Sequence, residues 1–128
     1  MSSSPHVLLV APTTRIASDV RAGLLAAGLR VTLVTSFKAA RKALESCPDL
    51  LISEVRLGEF NGLHLALRAQ LRGIRAIVIG VLDRLSQQDA ATFGAVYLEA
   101  DCDTTSLQAA VRAAGLIPTG SFGRIHAA

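Results

Sequence analysis

Short apolar runs alternate along the chain with stretches in which apolar residues recur at helical spacing. HVLLVA (6–11) is continuous, apolar and closed by Pro12, which predicts a buried strand. In the segment after it, Ile16, Val20, Leu24 and Ala27 fall on one helical face. Thr13 or Thr14 is placed to cap its start and Gly28 to end it. RVTLVT (30–35) is short and β-branched, hence a second strand. Ser36 caps a second helix, FKAARKALESC, which Pro48 stops. DLLISEV (49–55) predicts a third strand. A third helix follows Gly62, with Leu63, Leu67 and Leu71 in register. AIVIGV (76–81) predicts a fourth strand, SQQDAATFGA a weaker helix capped by Ser86, and VYLEA (96–100) a fifth strand. The last helix carries Leu107, Ala110, Val111 and Ala114 on one face.

Strict alternation of strand and helix implies a parallel sheet with helices on both faces, an α/β doubly wound architecture. The strands read as unbroken apolar runs because both sides are covered. In such sheets, sites form beyond the carboxyl ends of the strands. Chemistry is therefore expected around Ala11 and Pro12, Glu54, Gly80 and Val81, and Ala100 and Asp101.

Bulk properties narrow the classes. The 128 residues suit one domain, here 6–115, with 1–5 as a disordered start and 116–128 as a loose tail or truncated linker. Hydrophobic residues make up 51% and aromatics 4%, with no Trp, which excludes a surface built to stack bases or sugars. The net charge of +3 comes from scattered Lys and Arg, without the clustering that direct nucleic-acid binding requires. Cys47 and Cys102 have no partner at metal-ligand spacing and read as small buried hydrophobes. No apolar run is long enough for a membrane span and no leader pattern opens the chain, so a cytoplasmic protein is expected. His6, His64 and His126 share no spacing that suggests a common site.

Two segments carry a family resemblance. PDLLISEVRLGEFNGLHLA resembles the Pro-Asp-apolar-Asp-Val-x-Leu-Pro-x-x-Asp-Gly-Leu segment of two-component response-regulator receiver domains. GAVYLEADCDTTSLQAAV is similar to that family's Gly-Ala-x-x-Tyr-Leu-x-Lys-Pro-Phe-Asp segment, with one residue missing before Tyr97. The likeness spans residues 6 to about 115. It implies a flavodoxin-like five-stranded sheet in the order 2-1-3-4-5. It also implies a phosphorelay role, in which an aspartate ending the third strand takes a phosphoryl group from a kinase histidine. Mg²⁺ and a lysine neutralise the developing charge.

This chain departs from that pattern at each chemical position. Glu54 stands in the phosphoacceptor place. Ala11 and Pro12 stand where the acid pair belongs, Gly80 where a Thr or Ser reads the phosphate, and Ala100 or Asp101 where the lysine belongs. One carboxylate without its companions is a poor Mg²⁺ site, so no cofactor, no metal and no catalytic residue are expected. Glu54 reads as a partly solvated carboxylate, bonded to loop amides near Asn61 and Gly62, in preference to an imitation of a phosphoaspartate. The rim acids Asp83, Glu99, Asp101 and Asp103 read as solvated groups and a helix cap.

Tyr97 holds the place of the family's switch aromatic and reads as a half-buried tyrosine with its hydroxyl in water. Arg68, Arg72 and Arg75 read as a solvated face. The resemblance implies a partner surface on the fourth helix, fifth strand and fifth helix, including Gln87, Asp89, Thr92, Tyr97, Gln108 and Arg112. That surface would meet a histidine kinase, another regulator or a second copy. Three functions stay open: a phosphorylation-independent interaction module, a receiver that still takes phosphate or Mg²⁺, and a ligand sensor using the vacated pocket around Ala11, Pro12, Gly80 and Ala100.

Overall fold

The computed structural model describes residues 5–58, 60–81 and 84–115. Strands β1 (His6–Val10), β2 (Arg30–Val34), β3 (Leu50–Glu54), β6 (Arg75–Gly80) and β7 (Val96–Glu99) form a parallel five-stranded sheet in the order β2-β1-β3-β6-β7. In chain order of its members this is the 2-1-3-4-5 arrangement the resemblance implied. A short antiparallel hairpin, β4 (Arg56–Leu57) and β5 (Phe60–Asn61), fills the loop after β3 and had no counterpart in the sequence reading. The helices are α1 (Thr14–Ala26), α2 (Phe37–Ala43), α3 (Gly62–Leu71), α4 (Arg84–Thr92) and α5 (Thr104–Ala113).

Alternation along the strands sorts their side chains into two cores. Val7, Leu9, Leu50, Ile52, Ile77 and Ile79 pack against α1 and α5. Leu8, Val10, Leu51, Ala76 and Val78 pack against α2, α3 and α4. Every residue of β3 is buried, as expected of a central strand covered on both faces. Each fully buried Leu or Ile there contributes about 1.5–3 kcal/mol relative to exposure.

Several local expectations change. The second helix tightens into a 3₁₀ turn at Leu44–Ser46 and ends at Cys47, whose φ of 52° is left-handed. Cys47 is exposed and Cys102 half-buried, so neither is a core residue. The buried face of α3 is Gly62, Leu63, Leu65, Ala66 and Ala69. Leu71 is 78% exposed, because a strict four-residue spacing drifts off one face of a 3.6-residue helix. Ser86 lies inside α4 rather than capping it. Residues 1–4, Asp83 and the tail 116–128 with His126 lie outside the described residues.

Candidate functional site

The sheet order places the end of β3 between β1 and β6, so the loop leaving β1 runs beside Glu54. Glu54 is 7% exposed, and its carboxylate does not reach the amides near Asn61 and Gly62. It bonds instead across to the start of α1. The Thr13 amide donates to Oε2 at 2.9 Å, and the Thr13 hydroxyl donates to Oε1 at 2.8 Å. Thr13 holds the N-cap position of α1 but makes no side-chain cap, since its hydroxyl is committed to Glu54. A carboxylate beside a helix N-terminus is favoured by the helix dipole, which offsets part of its desolvation.

The Asn61 and Gly62 pair builds the start of α3. Asn61 Oδ1 accepts from the Leu63 amide at 2.7 Å, and the Gly62 amide donates to the Val55 carbonyl at 2.6 Å. A Cβ on Gly62 would lie 2.0 Å from the Glu54 carbonyl oxygen and 2.7 Å from Ser53 Oγ, so only glycine fits. Ser53 points to the face opposite Glu54, as alternation requires, and its hydroxyl donates to the Glu54 carbonyl at 2.8 Å.

At the end of β6 a second close approach occurs. Tyr97 of β7 turns its ring inward over Gly80, and its hydroxyl donates to the Val81 carbonyl, not to water alone. A Cβ on Gly80 would meet Tyr97 Oη at 2.7 Å and Val55 Cγ2 at 2.9 Å. The absent side chain at residue 80 is therefore the space that admits the tyrosine.

Between these groups lies an open cleft of about 740 Å³, lined among others by Thr13, Glu54, Gly80, Tyr97 and Ala100. Gly80 and Ala100 both line this cleft. Ala11 does not: it is 1% exposed and belongs to the α1 and α5 core. Pro12 is exposed and does not line the cleft. Thr13 is the site residue that sequence reasoning took only for a cap. The available signal was a hydroxyl two residues beyond Ala11, in the loop that leaves the strand neighbouring β3.

Asp101 points outward, its side chain 89% exposed, at 3.6 Å from Arg15 Nη2. Arg15 also lies 3.9 Å from Asp19. Such long exposed pairs contribute little. Asp103 caps α5 by accepting from the Ser106 amide at 2.8 Å. That bond, with the Ser106 side chain, holds its carboxyl below the usual range. Partial burial pushes the Cys102 thiol up, helped by the charges of Asp103, Glu99 and Asp101. No group of three or more His, Cys, Asp or Glu among the described residues is arranged to hold a metal ion. No helix among them is long and apolar enough to cross a membrane.

The expected partner residues surround the edge strand β7. Asp89 and Thr92 are exposed on α4, while Gln87, Gln108 and Arg112 are half-buried. Gln87 and Tyr97 line a shallower groove with Ser106 of α5. Arg75 stands apart from Arg68 and Arg72: its Nη1 donates to the Ala113 carbonyl at 3.2 Å, closing the end of α5.

No family model matches the sequence, and no curated protein matches it significantly. Solved structures do match its shape. The receiver domain of an HD-domain-containing protein from Pseudomonas fluorescens is 23% identical with a TM-score of 0.80, over 97% of this chain and 95% of that one. The receiver domain of a histidine kinase from Syntrophus aciditrophicus is 24% identical with a TM-score of 0.76, over 87% and 89%. The chemotaxis response regulator CheY4 of Vibrio cholerae is 19% identical with a TM-score of 0.76, over 87% and 98%. The chain has the flavodoxin-like fold of response-regulator receiver domains.

Proposed function

We propose that this chain is a receiver domain of a two-component pathway that works by protein contact without taking a phosphoryl group. The observation that carries the reading is the state of the residue at the phosphoacceptor position. Glu54 is buried, and both its oxygens accept from Thr13. Phosphoryl transfer to a carboxylate needs cationic groups aimed at the transferred oxygens. Here no acid pair follows β1 to help hold Mg²⁺, and the lysine position is Ala100 or the outward-facing Asp101. Output would then come from the surface around β7, where Gln87, Asp89, Thr92, Gln108 and Arg112 would meet a histidine kinase, another regulator or a second copy in the cytoplasm.

The test is a titration with beryllofluoride and Mg²⁺ followed by backbone NMR, with Glu54→Asp alongside. The reading expects no saturable shift around residue 54 in the native protein. A saturable response there would sink it and restore a phosphorylation-type switch.

A further inference from the structure

We infer that the cleft at the carboxyl edge of the sheet binds a small organic cation, an amine carried on an apolar or aromatic body. The inference does not rest on the interaction reading above. It begins with Glu54, which is 7% exposed yet lines a cleft of about 740 Å³. Among the described residues, no cationic side chain pairs with it. A carboxylate can accept about four hydrogen bonds. Thr13 supplies two of them. A buried carboxylate is stabilised most by a charged donor, and none of the described residues supplies one to Glu54.

The surroundings select the kind of cation. A divalent metal needs several oxygen ligands, and among the described residues no acids are arranged with Glu54 to share one. An ammonium group needs only one carboxylate and leaves its other protons to water. The walls are suited to the rest of such a molecule. Ile16, Ile79 and Val55 offer aliphatic surface, and the rings of Tyr97 and Phe60 also line the cleft. Aromatic faces attract cations at short range. An anion is disfavoured, because it would meet the Glu54 charge in a partly desolvated place. Among the described residues lining the cleft, the one cationic side chain, Arg56, is exposed on the β4 hairpin strand.

The probes are phenethylamine, 3-phenylpropionate and 2-phenylethanol, which share a body and differ in charge. Each is titrated into the full chain to about 20 mM, well above the millimolar Kd expected of a fragment. Amide shifts at Glu54, Gly80, Tyr97 and Ala100 are followed. Saturable shifts with the amine, at least tenfold weaker with the alcohol and absent with the acid, are expected. Glu54→Gln should weaken the amine at least tenfold. No saturable amine response, an equal response to all three probes, or undiminished binding by a folded Glu54→Gln would overturn the assignment. Should that variant fail to fold, the three probes on the native chain still decide.

Discussion

Replacing Gly80 by alanine tests whether residue 80 sets the position of Tyr97. The new Cβ would stand 2.7 Å from Tyr97 Oη, 2.9 Å from Val55 Cγ2 and 3.2 Å from Val55 Cβ. Contacts below 3 Å force something to move, and the tyrosine tip is the most mobile of these groups. Displacing it forfeits the bond to the Val81 carbonyl, about 1 kcal/mol net. Crowding against Val55 adds about 1–2 kcal/mol. The loss of glycine freedom in the unfolded chain offsets about 0.4–1 kcal/mol. Gly80→Ala should therefore destabilise by about 1–2.6 kcal/mol and lower Tm by roughly 4–10 °C. The chain has one Tyr and no Trp, so absorbance to the red of the phenylalanine band, and tyrosine emission, report Tyr97 alone. The expected result is a tyrosine signal shifted toward that of free tyrosine, with greater quenching by acrylamide. In a double-mutant cycle, Tyr97→Phe should cost about 1 kcal/mol in the native background and close to nothing in Gly80→Ala. An unchanged tyrosine spectrum with native stability would refute the argument that the two residues share one space.

Three further outcomes are expected. Thr13→Ala removes a donor from a buried carboxylate and should cost about 1–3 kcal/mol in urea unfolding, and a cycle with Glu54→Leu should show coupling of about 0.5–3 kcal/mol. Gly62→Ala places a methyl 2.0 Å from the Glu54 carbonyl oxygen, a backbone atom that cannot swing away. It should destabilise by about 3 kcal/mol or more, seen in thermal melts. Asp103 has its carboxyl held low by the Ser106 bonds, so its contribution is present above the usual carboxylate range and is lost as pH falls through the depressed value. Asp103→Ala should be less stable than the native chain at neutral pH, and the difference should close in acid; a difference independent of pH would contradict the cap.

The sheet and its helices were legible because both-face burial leaves unbroken runs such as LLIS, and helix faces leave a 3.6-residue rhythm. The β4 and β5 hairpin was not, since two-residue strands carry no periodicity. At the site, the sequence identified the position of Glu54 but not its partner. Thr13 lies 41 residues away, and only the adjacency of β1 and β3 brings them together. The resemblance read Gly80 only as the position of a missing hydroxyl. That its emptiness is filled by Tyr97 depends on the β6 and β7 register, which pairs Val78 with Tyr97. Ala11 misled because a residue at a strand end can still turn into the core, as its 1% exposure shows.

Phe37 and Phe60 stack with centroids 4.8 Å apart and planes 18° from parallel. Phe60 belongs to the hairpin that forms one wall of the cleft, while Phe37 is the first residue of α2. The two rings act as a rivet between the cleft wall and the opposite flank of the molecule from β7. A guest that levers the hairpin outward has to slide one ring off the other, so its arrival would be registered at α2 as a loosened first turn. That one ring contact thus ties the hairpin wall of the cleft to the first turn of α2.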